Sequence, residues 1–512
     1  MSPYSHNLSV VKSGTGTQPS HSLLSALAAD HSVHPERLNA TLARIGEVLE
    51  IVNGGEASTA ELFHRCREAA GHEHGLNQPM SPESALTVGA VLTTGLDSGQ
   101  LEYLTELLWQ SELSTEEVID LHKRFKIPVS HLEDDLLPVK GDGALITDSK
   151  GAVYIDLDSN YSATNLGNAN SEIALGLYNQ ASLLVSQKED RIQVARARFL
   201  KEFQGMLPAG LECFYWQNSG GEAVDKSLKI AKAFTGNTGV IAFEGGFHGR
   251  THGAVAVTHN PAYRVPFGLD DVPWVHFAAF GDLEAVESIL ASGAAKTVIL
   301  ELVQGEEAGI RPAGEAFAQG LRSLCDQHGA LLIADEVQTG FGRVADGPDT
   351  WFASQRFGIT PDIIAIGKSF GGGYPVTAVV TTQEVSAAMK GGYDGSTFGG
   401  NPMAMTAALI ATRQMKSLDL PARSHARGLQ IEAALNALGS PRVKGWRVLG
   451  LMVGIDLESP EAVSTVQKAM IERGVHSSLS TGATMRWMPP LVITEDQVDK
   501  VMHAFASAVE EI

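Results

Sequence analysis

The chain has 512 residues, 44% hydrophobic and 19% charged, which leaves room for about three domains and excludes disorder throughout, collagen and a coiled-coil rod. Lys and Arg number 38 against 59 Asp and Glu, a formal net charge of −21. That balance repels nucleic-acid backbones and anionic lipid surfaces, and no basic stripe offsets it.

Residues 1–20, rich in Ser, Gly, Thr and Pro, read as a flexible tail. They lack the basic start and apolar run of a secretion signal, and no run of about 18 apolar residues is present to span a bilayer. The three cysteines, Cys66, Cys213 and Cys325, share no CxxC spacing, so no zinc ribbon or disulfide framework is expected. A cytoplasmic protein without membrane or nucleic-acid partners is the expectation. Residues 21–135 read as a helical extension, with Leu38, Leu42, Ile45, Leu49 and Leu101, Leu104, Leu107, Leu108 mostly three or four apart. Ser114 and Glu117 have capping-box spacing, and that helix is expected to stop before Pro128.

From about residue 140 the apolar runs VYIDL, GVIAF, TVILELV, ALLIAD and DIIAIG alternate with helical stretches. This α/β pattern predicts a mostly parallel sheet with helices on both faces. After about 415 come a long amphipathic helix, the strand-like VLGLMVGIDL and a closing helix from Thr494. They predict a second, smaller C-terminal α/β domain.

Four stretches carry polar residues where such a sheet places its sites, at the carboxyl ends of strands. In ALLIADEVQTGFGR, Asp335 and Glu336 leave an apolar strand, where a carboxylate is costly unless it meets a cation or donor; a salt bridge or helix cap is the plain alternative. In PDIIAIGKSFGGGYP, Lys368 ends another apolar strand before a glycine run, where desolvation favours the neutral amine that forms an imine. A surface lysine is the alternative there, and a nucleotide-binding GxxxxGK[ST] loop fails because residue 362 is Asp. In NSGGEAVDKSLKIAKAF, Ser219 and Glu222 have capping-box spacing around Gly220 and Gly221, a helix start able to hold phosphate or merely a cap. FEGGFHGRTHG presents Phe247, His248 and Arg250 on a glycine-rich turn. His248 and His252 lack a third ligand, so no metal is expected. An imine-forming lysine, a strand-end acid, a phosphate-binding helix start and a stacking aromatic are together what pyridoxal 5′-phosphate requires.

On NSGGEAVD, FHGRT, VQGEEAG, ADEVQTGFGR, PDIIAIGKSFGGGYP, STFGGNP and MRWMPPLVIT, in that order, the sequence from about residue 140 resembles the class-III (ornithine and acetylornithine type) pyridoxal-phosphate aminotransferases of fold type I. The resemblance implies a large cofactor-binding domain over 176–415, a small domain over 416–512, and an N-terminal segment, 136–175, packing with the small domain. It implies that Lys368 holds the cofactor and shuttles a proton, that Asp335 pairs with the ring nitrogen, and that Gln338 sits near the ring hydroxyl. By the same resemblance Phe247 stacks on the ring beside His248, while Ser219, Gly220 and Gly221 form the phosphate cup. Thr397 reaches the phosphate of a neighbouring subunit, hence a homodimer with shared active sites. Arg486 takes a substrate carboxylate, Glu306 masks that arginine, and Tyr161 and Arg250 face the substrate.

Three departures stand out: Gly221 where the family usually has threonine, Gly167-Asn168-Ala169-Asn170-Ser171 in place of GHxHP, and Glu301-Leu302 in place of Glu-Pro. The leading expectation is transfer of an amino group from an amino acid to an oxo acid through aldimine and quinonoid intermediates. One alternative sends the quinonoid to γ-elimination, γ-replacement or carbon–carbon bond formation on an S-adenosylmethionine-like amino acid. Another is a non-catalytic cofactor-binding scaffold.

Overall fold

The computed structural model describes residues 114–129, 136–477 and 481–512. The chain divides into two compact units between Asp135 and Leu136. In the first, the described part is the helix Thr115–Phe125, and the expected capping box is present: the Glu117 N–H donates to Ser114 Oγ at 3.2 Å and the Ser114 N–H to Glu117 Oε2 at 2.9 Å. The helix gives way to extended backbone at Lys126, ahead of Pro128. The expected tail and the rest of the helical extension lie outside the described residues.

The second unit is built on a seven-stranded sheet whose strands are labelled here in chain order: β1 (Cys213–Gln217), β2 (Val240–Phe243), β3 (Val275–Ala278), β4 (Thr297–Leu300), β5 (Leu331–Asp335), β6 (Ile363–Ile366) and β7 (Thr377–Thr381). Their spatial order is β1-β7-β6-β5-β4-β2-β3. β7 runs antiparallel to both neighbours and the other pairings are parallel. Strands covered on both faces read as unbroken apolar runs, and every residue of β2, β4, β5 and β6 is buried.

Alternate residues serve the two faces. Ile333, Ile363 and Val379 pack with Ala223, Val224, Leu228 and Ala231 of the helix Gly220–Thr235. Leu332 and Val298 face the other way, onto Phe317, Leu321 and Cys325 of the helix Glu315–His328. Because most of the strands run the same way, their carboxyl ends open on one rim, and β1, β2, β4, β5 and β6 all deliver site residues there.

The C-terminal part holds an antiparallel sheet of Gly445–Leu449, Met452–Asp456 and Thr484–Trp487. Trp487 meets Phe505 of the closing helix Glu495–Val509 edge-on, 5.1 Å between ring centroids. A further sheet joins Pro138–Asp142, Leu145–Asp148 and Val153–Leu157 to Val475–Ser477, so the segment before the large sheet is stitched to the chain's last quarter.

Two runs read as single strands are broken. TVILELV ends its strand at Leu300, and Val303–Gln304 pairs instead with Arg311–Pro312. VLGLMVGIDL is a hairpin, turning at Gly450 with φ 54°. A Cβ on Gly450 would lie 2.5 Å from the Arg343 carbonyl oxygen, so glycine is required there.

Candidate active site

Asp335 closes β5 with its carboxylate turned to the open rim. Its Oδ2 accepts a hydrogen bond from His248 Nδ1 at 2.8 Å, and its Oδ1 accepts the Val337 N–H at 3.2 Å. Both side chains are buried. Burial works against a charge on His248, but the bond to Asp335 and the negative charges of Asp335 and Glu301 outweigh it and hold the imidazole pKa above its usual 6.5.

Lys368 follows β6 after one extended glycine, and its backbone is left-handed, φ 48°. That conformation is disfavoured for a side-chain-bearing residue and persists only where the surroundings enforce it. Gly367 has no room for a side chain, since a Cβ would come within 2.8 Å of Thr377. Burial lowers the pKa of the Lys368 amine below 10.5 against the opposing pull of Glu306, Glu301 and Asp335.

The helix Gly220–Thr235 starts at Ser219, whose Oγ accepts the Glu222 N–H at 3.3 Å, while Glu222 Oε2 accepts the N–H groups of Asn218 and Ser219, each at 2.9 Å. The cap uses neither the Gly220 nor the Gly221 amide. A Cβ on Gly220 would lie 3.0 Å from the Val337 side chain, and one on Gly249 would lie 2.6 Å from the Gly221 Cα, so the helix start and the Gly249 loop meet backbone to backbone. Beside Gly221 stands Thr251, whose Oγ1 is buried without a hydrogen-bond partner.

Gly220, Phe247, His248, Gly249, Glu301, Glu306, Asp335, Val337, Gln338 and Lys368 line a single cavity. Arg486, buried, reaches it through Glu306: its Nη1 donates to Glu306 Oε2 at 2.9 Å and to the Gly305 carbonyl at 2.8 Å. Among the described residues no group of three or more His, Cys, Asp or Glu could hold a metal ion.

The family model for aminotransferase class-III matches residues 128–509. The chain belongs to that family. Its relatives include the [LysW]-aminoadipate semialdehyde transaminase of Deinococcus radiodurans, 35% identical over 74% of this chain and 87% of that protein. The acetylornithine aminotransferase of Methanopyrus kandleri is 38% identical over 72% of this chain and 93% of its own. Among solved structures, the ornithine aminotransferase of Toxoplasma gondii ME49 superposes with a TM-score of 0.74 at 25% identity, covering 80% of this chain and 98% of that one.

This class-III aminotransferase brings together Gly220, Phe247, His248, Glu306, Asp335, Gln338 and Lys368, all expected from sequence. Ser219 serves as the helix cap, and Glu336 turns away from the cavity to accept the Ala353 and Ser354 N–H groups at 2.8 and 2.7 Å. The Arg250 guanidinium lies over the rings of Phe247 and Tyr263, at 5.3 and 4.0 Å. Neither Tyr161 nor Thr397 lines the cavity: Tyr161 sits on a turn whose Ser162 Oγ donates to the Gln338 carbonyl, and Thr397 on an exposed loop. Sequence reading noted Glu301 only as a departure and passed over Thr251, Val337 and Gly249. Glu301 obeys the same rule that singled out Asp335, a carboxylate directly after a buried strand.

Proposed function

We propose that this aminotransferase binds pyridoxal 5′-phosphate in the cavity and moves an amino group from an amino acid to an oxo acid. The observation that carries the reading is the convergence of Lys368, Asp335 and Phe247 on one cavity beside a glycine helix start. The residues fit the cofactor: the side-chain-free approach at Gly220 and Gly249 and the unpartnered Thr251 hydroxyl beside Gly221 suit a phosphate at a helix N-terminus. When bound, the cofactor supplies an electron-withdrawing ring that takes up the charge left as the substrate carbon loses its proton.

The protein's part is to hold and orient. Lys368 tethers the cofactor through an amine that burial makes easier to deprotonate, and the same amine moves the proton at the substrate carbon. Asp335, fixed by His248, would pair with the ring nitrogen, Phe247 would cover a ring face, and Gln338 would meet the ring hydroxyl. Arg486 receives a substrate carboxylate once Glu306 yields it, and Tyr161 and Arg250 face the substrate. Thr397, on its exposed loop, reaches the phosphate of a second copy in a homodimer. Within this reading the chain carries a large cofactor-binding domain over 176–415, a small domain over 416–512, and a 136–175 segment that packs with the small domain.

The semialdehyde and acetylornithine in the relatives' names point to a substrate whose terminal carbon carries the amine in one state and the aldehyde in the other. Family membership and transaminase-named relatives favour transfer over elimination, carbon–carbon bond formation or a scaffold role. Cofactor-loaded protein given N-acetyl-L-ornithine without an oxo acid is expected to yield one equivalent of the semialdehyde and of aminated cofactor per site. Bound cofactor that leaves this and other terminal-amine amino acids unchanged would overturn the reading.

A further inference from the structure

We infer that Arg343 is a positioning residue for the substrate, acting by holding a left-handed turn, Ser159–Ser162, that presents Tyr161. Four consecutive residues of this turn have positive φ, Ser159 at 46°, Asn160 at 51°, Tyr161 at 55° and Ser162 at 75°, and none is glycine. L-amino acids visit this region singly, and a run of four stands only where contacts from outside fix it.

Asp156 Oδ1 accepts the Ser159 N–H at 2.9 Å and Asp158 Oδ1 the Tyr161 N–H at 3.3 Å, while both serine hydroxyls of the turn meet one guanidinium. Arg343 Nε donates to Ser162 Oγ at 2.9 Å, and Nη2 donates to Ser159 Oγ at 3.4 Å and to Asn165 Oδ1. Its Nη1 donates to the carbonyls of Leu451 at 3.0 Å and Pro489 at 2.5 Å. Arg343 is fully buried, and every one of these partners is a neutral oxygen. A buried cation without a bonded carboxylate is costly, and an apolar side chain would fill the space at lower cost, so packing alone does not account for it.

The turn is also wired to the site. Ser162 Oγ donates to the Gln338 carbonyl at 3.3 Å, and the Ser162 carbonyl accepts from Ser369, the residue after Lys368, at 2.5 Å. Ser159 Oγ donates to the carbonyl of Met488, two residues beyond Arg486, at 2.5 Å. Arg343 thereby fixes one turn against the segments carrying Lys368, Gln338 and Arg486. This inference rests on the proposed function, in which Tyr161 faces the substrate.

The test titrates cofactor-loaded protein with N-acetyl-L-ornithine, reading binding from the visible spectrum. Wild type, Arg343→Lys and Ser162→Ala are compared, each with and without Tyr161→Ala. Arg343→Lys and Ser162→Ala are expected to weaken binding about tenfold while leaving the ligand-free spectrum unchanged, and to add less than about twofold when Tyr161 is already Ala. Equal losses in both backgrounds, or no loss, would overturn the inference. Should Arg343→Lys not fold, Ser162→Ala carries the same comparison with one hydroxyl removed. A wild type whose spectrum ignores the ligand defeats the proposed function and this inference with it, whereas variants that respond as the wild type does defeat this inference alone.

Discussion

Burial, with the Asp335 charge adding to it and His248 opposing, pushes the Glu301 carboxyl up to about 8. In the unfolded chain that proton leaves near 4.5, so between about 4.5 and 8 the folded state binds the extra proton and stability falls as pH rises. His248 acts in the same sense: its raised pKa contributes stability below 6.5 that is lost as pH climbs through the folded value. Glu301→Gln is therefore expected to flatten the decline in unfolding free energy between pH 5 and 9, with its largest gain above pH 7, measured by urea denaturation. Asp335→Asn keeps the shape but removes the charge His248 is bound to, and should slow single-turnover amino transfer about 10²–10³-fold. Asp335 and Lys368 were legible in the sequence because each leaves a buried strand as a polar residue that must find a partner. Arg343 was not, since its partners Ser159, Asn165, Leu451 and Pro489 lie more than a hundred residues from it along the chain.

Asp335 and Glu336 show how one element divides two jobs. Successive residues of a strand point to opposite faces, so the first carboxylate meets the cavity and the second caps the short helix Ala353–Arg356. Glu336 also accepts from Thr339 Oγ1 at 2.5 Å. Glu336→Ala strands these buried donors and is expected to cost about 2–4 kcal/mol in urea denaturation. The alternation of strand and helix was readable because β4, β5 and β6 are unbroken apolar runs. The breaks in TVILELV and VLGLMVGIDL were not, because periodicity records apolar character and not where a backbone turns. Glu301 and Gly450 mark those breaks, one by a carboxyl that accepts the Phe247 N–H at 2.8 Å and one by a backbone that comes too near Arg343 for a side chain.

The unit from Leu136 to Ile512 contains the whole described site, and the family match covers 128–509. A chain beginning at Leu136 is expected to fold, to show the visible band of lysine-bound cofactor, and to melt within about 5 °C of the full chain. Differential scanning calorimetry and absorbance check this, and mass in solution compares the oligomeric state of the two chains. Composition and alternation gave the fold class, yet strand order is not written in local pattern. The order β1-β7-β6-β5-β4-β2-β3 brings together segments whose adjacency no periodicity encodes.

That order has a bearing on synthesis. β1 lies at an edge of the sheet and pairs within it with β7 alone, so its hydrogen-bonding partner emerges from the ribosome only after roughly 160 further residues. At ~5–20 residues per second the nascent strand waits on the order of 10–30 s with both its edges open. Over that interval Cys213–Gln217 offers a ready template for another chain, and a holding chaperone would find a client surface there.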